Sequence, residues 1–372
     1  MNPLLELKRL GQSVWLDNIS RGLLNSGELK RLVEQDGISG ITSNPTIFEK
    51  AISHGTDYDE AMRELIRHGA SDSDIYAALT VADIQAATDV LRPVFDATRG
   101  DDGYVSIEVS PKLAHDTAGT LVDARQLHAA VNRPNLFVKV PATREGVPAI
   151  RQLLCEGINI NITLMFSMEH YEAVAGAYVA ALEDRVRQGL PVRNVASVAS
   201  FFVSRVDTLV DKLLEGKMRQ GPEAAKVAAL RGKIAVANSK LVYQRFKEIF
   251  GGERFQVLAA QGARVQRVLW ASTSTKNPAY SDVLYVETLI GPDTVNTMPD
   301  ETIVAFRDHG KAAATVAEGL EEARAAFQAL AEVGIDMRAV GEQLSVEGVD
   351  KFAQSFDKLF GVLADKRHKL GS

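Results

Sequence analysis

Polar side chains interrupt or directly follow short apolar segments at several places in this sequence. They are Asp17, Asn44, Glu108, Lys139, Asn161, Thr163, Ser200 and Ser272. Lys139 is the most unusual of them, because it lies inside the apolar segment Leu136–Val140. Burying an ammonium group without compensation is strongly unfavourable. This position therefore indicates either a buried partner or a chemical role.

A lysine buried in an apolar strand has two interpretations. In the first, Lys139 forms a structural ion pair with a glutamate. In the second, desolvation lowers the pKa of the amine, and the neutral amine attacks a carbonyl carbon to form a Schiff base. The protonated imine then acts as an electron sink, which allows a neighbouring C–C bond to break.

Such chemistry also needs acid and base groups. A carboxylate must take the proton from the departing hydroxyl, and a second group must help water to leave the carbinolamine. Asp17 and Glu108 are the available candidates, since both stand at the ends of apolar segments. Each alone is also compatible with a helix cap or an ion pair, whereas together with Lys139 they form a coherent catalytic set.

Two segments have the composition of an anion-binding site. Arg205 follows Phe202 at a predicted strand-to-helix junction, where helix N-terminal amides and a guanidinium would both favour a phosphate. The segment Ala271–Lys276 contains four hydroxyl side chains and ends in a cation. Both segments are also compatible with ordinary helix capping or surface charge.

Short apolar, β-branched segments predict the strands that would position these residues. They are Ser13–Leu16, Gly40–Thr42, Val105–Glu108, Leu136–Val140, Asn159–Leu164, Val195–Val203, Val268–Ala271 and Thr294–Thr297. Several are apolar without alternation, which is typical of parallel strands buried on both faces. Their number matches a closed (β/α)8 barrel, although open doubly wound sheets use the same units.

Amphipathic patterns between these segments predict helices. They are Ser26–Gln35, Asp57–Arg67, Asp72–Thr98, Val122–Asn132, Val147–Glu156, Met168–Gln188, Ser204–Met218, Glu223–Phe250 and Asp300–Val333. Two connections are long, at about residues 57–98 and 204–265, and predict helical insertions. A tail at about residues 344–368 has one apolar face and predicts a helix packed on the body. Residues 1–372 contain no linker-like stretch, so we expect a single domain.

Composition excludes several classes of protein. The chain has 372 residues, 46% of them hydrophobic, as is usual for globular proteins. A net charge of −6 argues against general nucleic-acid binding, and no apolar stretch approaches the roughly 20 residues that span a bilayer. The single cysteine, Cys155, excludes an intramolecular disulfide and favours a cytoplasmic location. The scattered histidines have no metal-ligand spacing, so we expect no metal site.

At these residues the sequence resembles the transaldolase family. The resemblance lies in seven segments in consistent order, namely Trp15–Asn18, Gly40–Thr46, Ser106–Val109, Phe137–Thr143, Gly157–Leu164, Ser200–Arg205 and Trp270–Ser272. Each segment alone has little specificity, but seven in order are a strong indication. The resemblance implies a (β/α)8 barrel with a Schiff-base lysine on the fourth strand, where the strand count places Lys139.

The resemblance also implies an activity. The family transfers a dihydroxyacetone unit from a ketose phosphate to an aldose phosphate in the non-oxidative pentose phosphate pathway. The donors would be sedoheptulose 7-phosphate or fructose 6-phosphate, and the acceptors glyceraldehyde 3-phosphate or erythrose 4-phosphate. No metal or organic cofactor is implied, because the lysine imine supplies the electron sink. Sugar phosphates are the expected partners, nucleic acid and membrane are not, and the choice between monomer and homodimer stays open.

Individual residues take roles by the same resemblance. Lys139 would form the imine, and Asp17 would act on the hydroxyl proton during C–C cleavage. Glu108, with Thr163 and a held water, would assist imine formation and hydrolysis. The substrate-binding residues would be Asn44 and Asn161 for donor hydroxyls, Ser200 for the three-carbon unit, Phe202 for the pocket wall and Arg205 for phosphate.

The sequence departs from the family pattern after the seventh strand. Shorter family members have Ser-x-Arg there, whereas Ser272 is followed by Thr273 and Ser274 in this chain. The nearest cation is Lys276, so Ser272 and Lys276 are the expected second phosphate contacts, as in a longer subgroup of the family. The segment Val349–Phe352 resembles the family's final helix, which leans over the barrel mouth.

Two other functions stay open at this point. A class I aldolase would use the same barrel and release dihydroxyacetone or its phosphate to water, and the strand-end residues do not separate it from a transferase. A non-catalytic sugar-phosphate binder would keep the fold, but such a protein has no use for a desolvated lysine. The set of Asp17, Glu108 and Lys139 therefore favours an enzyme.

Overall fold

Eight parallel strands close into a barrel in the computed structural model, which describes residues 2–218 and 224–371. They are β1 (Gln12–Leu16), β2 (Ile38–Ile41), β3 (Tyr104–Glu108), β4 (Leu136–Pro141), β5 (Ile160–Met165), β6 (Ser197–Phe202), β7 (Arg267–Ala271) and β8 (Thr294–Met298). Each strand pairs in parallel with the next in sequence, and β8 pairs with β1. The predicted strands and barrel are therefore confirmed.

Helices occupy the connections around the barrel. They are α1 (Pro3–Arg9), α2 (Arg21–Asn25), α3 (Glu28–Asp36), α4 (Pro45–Ser53), α5 (Asp59–Arg67), α6 (Asp72–Ala97), α7 (Thr117–Val131), α8 (Gly146–Glu156), α9 (Met168–Arg187), α10 (Ser204–Met218), α11 (Ala224–Leu230), α12 (Ile234–Gly251), α13 (Glu253–Ala259), α14 (Leu284–Glu287), α15 (Asp300–His309), α16 (Leu320–Glu332) and α17 (Met337–Gly371). Over the described ranges, none of these helices has the length and apolarity needed to cross a membrane.

Two long helices predicted from periodicity are each two helices. The predicted helix Glu223–Phe250 is interrupted between α11 and α12, where Gly232 adopts a positive φ of 67° that favours glycine. Its first residue, Glu223, lies outside the described residues. The predicted helix Asp300–Val333 is interrupted between α15 and α16, because the amides of Thr315 and Val316 both donate to the Ile290 carbonyl. Tertiary hydrogen bonds override the helical periodicity there.

Helices fill both of the long connections. Helices α4, α5 and α6 lie between β2 and β3, and α10 to α13 lie between β6 and β7. These ranges cover the insertions expected at about 57–98 and 204–265, apart from residues 219–223, which lie outside the described part. The assignment of residues 1–372 to one domain stays a prediction. Residues 1 and 372 also lie outside the part of the chain that the structure describes.

The C-terminal helix α17 lies against the mouth of the barrel. It is longer than the predicted segment 344–368 and contacts α4, α5, α6, α10 and β5. A Cβ atom on Gly348 would lie 2.8 Å from the Leu164 side chain and 3.6 Å from the Arg205 guanidinium. This glycine therefore lets the helix approach the carboxyl ends of the strands, and the predicted position near the mouth is confirmed.

Candidate active site

A cavity of about 1010 Å³ opens at the carboxyl ends of the barrel strands, under α17. Side chains at that end of every strand converge on one mouth in a barrel of this kind. Nine of the predicted site residues line the cavity: Asp17, Asn44, Lys139, Thr163, Ser200, Phe202, Arg205, Ser272 and Lys276. The fold thus brings together residues that are up to 259 positions apart in the chain.

Lys139 lies on β4 with its ammonium group inside the barrel. Its side chain is only 6% exposed, and so is that of Glu108. The two residues are register partners on β3 and β4, and Lys139 Nζ lies 3.2 Å from Glu108 Oε2. Nζ also donates to the Ser43 carbonyl at 3.0 Å. The structure therefore contains the buried Lys–Glu pair of the first interpretation, and it places the lysine against a cavity that could hold the carbonyl compound of the second.

Burial raises the pKa of both carboxyl groups of the site above their ordinary values. Burial raises the pKa of Glu108, although the charge of Lys139 and its hydrogen bond oppose that rise. Burial also raises the pKa of Asp17, although a 2.6 Å hydrogen bond from the Thr42 hydroxyl lowers it in part. Raised carboxyl pKa values are typical of catalytic acids and bases that must change protonation state during turnover.

Thr163, on β5, offers a hydroxyl to the cavity. The residue has no measurable exposure, and its Oγ1 has no hydrogen-bond partner among the residues described. A buried hydroxyl of this kind normally has a partner. Because Thr163 lines the same cavity as Lys139, its hydroxyl is available to a water or to an oxygen of a ligand.

Asn161 lies beneath the cavity surface and not on it. Its amide oxygen accepts from Ser200 Oγ at 2.6 Å, and its amide nitrogen donates to Ser106 Oγ at 3.0 Å. Ser200 does line the cavity. Through these two hydrogen bonds, Asn161 holds the Ser200 hydroxyl in place. The predicted contact of Asn161 with a hydroxyl of the donor sugar stays a prediction.

Asn44 has a structural function that the sequence interpretation missed. Its Oδ1 accepts the Ile47 amide at 3.1 Å, so Asn44 caps the N-terminus of α4, with Pro45 at the first helical position. The signal was present in the sequence as an Asn-Pro pair. Asn44 also lines the cavity, and its predicted contact with a donor hydroxyl stays a prediction.

Arg205 provides a cation to the lining of the cavity. Its guanidinium lies 5.0 Å from the centroid of the Phe202 ring and 5.8 Å from that of Phe352 on α17. Within the part of the chain that the structure describes, Arg205 makes no ion pair. Two aromatic rings thus hold an arginine whose charge is available to an anionic ligand.

The segment after β7 supplies the other predicted phosphate contacts. Ser272 has a φ of 56°, and its hydroxyl lies 2.9 Å from that of Ser204 at the start of α10. Lys276 donates to Ser274 Oγ at 2.6 Å. Ser272, Ser274 and Lys276 all line the cavity, so the structure brings both candidates, Ser272 and Lys276, to the cavity that Arg205 also lines.

Charged residues that the sequence interpretation did not assign also line the cavity. The cations are Lys50, Lys212 and Lys351, and the acids are Asp300, Glu301 and Glu347. Thr42 and Thr297 add hydroxyls next to Asp17. A helix pattern alone cannot reveal Lys351, because only the packing of α17 shows which of its faces lies over the mouth.

The hydrogen bond from Thr42 predicts a pH effect. In Thr42→Val the bond that lowers the pKa of Asp17 is lost while burial, which raises it, remains. If Asp17 must be ionised to accept a proton, activity is lost as the pH falls through its pKa. We therefore expect the acid limb of the kcat–pH profile to move to higher pH in this variant.

Thr297→Val is the matched control for that measurement. The two threonine hydroxyls lie 2.6 Å apart, so the control removes the neighbour of Thr42 and leaves the bond to Asp17. Its acid limb is expected to move less than that of Thr42→Val. An acid limb that stays in place in Thr42→Val, or moves to lower pH, contradicts the assignment of that limb to Asp17.

Comparisons with known proteins agree with this geometry. The model of the transaldolase/fructose-6-phosphate aldolase family matches residues 14–363. A "Transaldolase 2" of Nostoc punctiforme is 48% identical over 98% of this chain and 97% of its own length. A transaldolase of Trichodesmium erythraeum is 46% identical over 99% and 98% of the two chains, and one of Frankia alni is 47% identical over 100% and 99%.

The fold and the site define a class: a (β/α)8-barrel protein with a buried lysine–carboxylate pair at the floor of its mouth. Over nearly its whole length, this chain also matches one family and the relatives named above. The chain belongs to the transaldolase/fructose-6-phosphate aldolase family. The resemblance found in the sequence is thereby confirmed.

Proposed function

We propose that this protein is a transaldolase, which moves a dihydroxyacetone unit reversibly between a ketose phosphate and an aldose phosphate. The observation that carries the proposal is Lys139 Nζ, buried 3.2 Å from Glu108 Oε2 at the floor of a cavity that Asp17 also lines. The donors would be sedoheptulose 7-phosphate and fructose 6-phosphate. The acceptors would be glyceraldehyde 3-phosphate and erythrose 4-phosphate.

Imine formation is the first step of this mechanism. Glu108 takes a proton from the Lys139 ammonium group, and the free amine attacks C2 of the ketose. The carbonyl oxygen becomes a hydroxyl and leaves as water with a proton from Glu108, whose raised pKa favours that protonated state. The Thr163 hydroxyl, which has no partner among the described residues, would hold the water involved.

Cleavage of the C3–C4 bond follows. The Asp17 carboxylate takes the proton of the C4 hydroxyl, so that C4 becomes an aldehyde and the aldose leaves. The electron pair of the broken bond moves to C3 and into the protonated imine, giving an enamine on Lys139. Asp17 is poised for this exchange, because burial raises its pKa towards the range in which it both accepts and returns a proton.

Transfer reverses these steps with a second aldose. The enamine carbon attacks the acceptor aldehyde, and Asp17 returns its proton to the new hydroxyl. Water then hydrolyses the imine and releases the new ketose from Lys139. Substrate positions follow the predicted roles, which stay proposals: Asn44 and Asn161 for donor hydroxyls, Ser200 for the three-carbon unit, Phe202 for the wall, and Arg205, Ser272 and Lys276 for phosphate.

Acceptor dependence tests the proposal. Fructose 6-phosphate is mixed with the enzyme, with and without erythrose 4-phosphate, and the release of glyceraldehyde 3-phosphate is followed over many turnovers. A transaldolase releases about one equivalent per site without acceptor and turns over only when acceptor is present. Rapid release without acceptor would identify an aldolase instead. No release under either condition would indicate a binder.

Arg205→Ala provides a second test. The residue makes no ion pair within the described residues, so its loss should chiefly weaken the binding of phosphorylated substrates. We expect KM for fructose 6-phosphate to rise by roughly ten- to a hundredfold, as for the loss of a hydrogen-bonded charge, with a much smaller change in kcat. An equal loss with unphosphorylated fructose would contradict a phosphate contact.

The same proposal sets a cellular context. A protein with this activity would act in the non-oxidative pentose phosphate pathway, where both substrates and products are sugar phosphates. We propose a cytoplasmic location, which the single cysteine, Cys155, supports. Fractionation of cells with an antibody against the chain tests the location, and recovery with membranes would contradict it.

A further inference from the structure

Three cations from different parts of the fold meet at one side of the cavity. Arg205 is on α10, Lys276 is on the segment after β7, and Lys351 is on α17, and all three line the cavity. The charge of Arg205, together with burial and Lys276, lowers the pKa of Lys351. Lys351 is therefore close enough to both Arg205 and Lys276 to be repelled by their charges.

No carboxylate in the described part of the chain forms an ion pair with Arg205 or Lys351. Glu347, one turn before Lys351 on α17, lines the cavity and accepts from Gln343 at 2.7 Å; its charge acts on Arg205, as those of Asp17 and Glu108 do, but without an ion pair. Juxtaposed like charges are unfavourable in a partly buried site. An anion bound between them would remove that cost.

The packing of α17 holds Lys351 at this position. The close approach at Gly348, three residues earlier, seats the helix against Arg205 and Leu164. Phe352, the next residue, is buried, with its ring centroid 5.8 Å from the Arg205 guanidinium and 5.9 Å from Lys139 Nζ. The contacts of Gly348, which precedes Lys351 on α17, and of Phe352, which follows it, thus hold Lys351 beside the cavity.

Two other lysines of α17 form ion pairs, whereas Lys351 forms none among the described residues. Lys358 forms an ion pair with Glu49 at 2.9 Å, and Lys366 forms one with Asp59, also at 2.9 Å. Those pairs attach α17 to α4 and α5. Lys351 forms no ion pair within the part of the chain that the structure describes, so an attachment of α17 through an ion pair does not explain its position.

We propose that Lys351 is a phosphate-binding residue, which binds the phosphate group of the sugar substrate together with Arg205 and thereby determines specificity for phosphorylated sugars. The inference rests on the proposed function for the identity of the sugar. It supplies, from α17, a cation that the Ser272–Thr273–Ser274 sequence after β7 lacks. Because the two cations belong to α10 and α17, the bound phosphate would join the barrel to its C-terminal helix.

Steady-state kinetics of Lys351→Gln test this residue. We expect KM for fructose 6-phosphate to rise about tenfold, since one charged hydrogen bond to phosphate is lost. The value of kcat, and kcat/KM for unphosphorylated fructose, should change by less than about twofold, because Lys351 does not touch the reacting carbons. Lys351→Arg should restore most of the affinity for fructose 6-phosphate.

Arg338→Gln is the matched control. Arg338 is an exposed cation on the same helix and does not line the cavity. A rise in KM equal to that of Lys351→Gln would show a general charge effect and overturn the proposal. An equal loss of kcat/KM with fructose in Lys351→Gln would show a displaced helix and would overturn it too.

Calorimetric titration with inorganic phosphate separates this inference from the proposed function. The full-length Lys351→Gln variant should bind phosphate about tenfold more weakly than the unsubstituted protein. The Arg338→Gln variant should bind phosphate as tightly as the unsubstituted protein does. Unchanged phosphate binding in Lys351→Gln overturns the assignment of Lys351 even if transaldolase activity is present. Weakened binding supports it even if the acceptor test identifies an aldolase.

Discussion

Replacing Lys139 by alanine is expected to reduce kcat by more than about 10⁴-fold, because every covalent step of the proposed mechanism uses its amine. The fold should persist, since burial raises the pKa of Glu108 and the loss of Lys139 removes the charge that opposes this rise, which favours the neutral carboxyl. Borohydride reduction with fructose 6-phosphate, followed by peptide mass mapping, should give a three-carbon adduct on Lys139 in the unsubstituted enzyme and none in the variant.

Two further variants make this result specific. Lys139→Arg keeps a positive charge beside Glu108 but has no amine that forms an imine, so it should be as inactive as Lys139→Ala. Lys30→Ala removes an exposed lysine on α3 and should leave turnover and the adduct unchanged. An adduct on another lysine, or turnover in Lys139→Ala, would exclude the Schiff-base role of Lys139.

The second large effect is expected for Asp17→Asn. The amide cannot accept the C4 hydroxyl proton, so C–C cleavage should slow by roughly 10²- to 10⁴-fold, the usual contribution of a positioned general base. Imine formation should continue, because Lys139 and Glu108 remain paired. Borohydride should therefore trap a six-carbon adduct from fructose 6-phosphate in place of the three-carbon one.

Asp300→Asn is the control for Asp17. Asp300 also lines the cavity, at the start of α15, and accepts from Asn18 at 2.7 Å. Its replacement should leave the three-carbon adduct as the trapped species. If Asp17→Asn gave only the three-carbon adduct at the usual rate, the base for cleavage would have to be another group.

Much of the barrel could be predicted from the sequence because its strands are buried on both faces. Segments such as Leu136–Val140 and Val268–Ala271 are continuous and apolar, and the structure places β4 and β7 over them. Helix ends were less predictable. The break at Gly232 and the turn at Val316 depend on contacts with distant residues, which a local periodicity does not contain.

The site was predictable where a residue contradicts its local environment. Lys139 in an apolar strand and Asp17 and Glu108 at the ends of others are visible in the sequence alone, and the structure places all three at or directly beneath one cavity. Asn161 was less predictable. Its strand position is correct, but hydrogen bonds to Ser200 and Ser106 place its amide below the cavity surface.

By itself the sequence determined the barrel and the chemical groups, because strand burial and a lysine among apolar residues are local properties of the chain. Only the tertiary structure decided which groups meet. Closure of the barrel sets Lys139 beside Glu108 at 3.2 Å, and the packing of α17 brings the Phe352 ring to 5.9 Å from Lys139 Nζ, although the two residues are 213 positions apart in the sequence. Such contacts depend on side-chain packing between distant elements, which no segment of the sequence specifies alone.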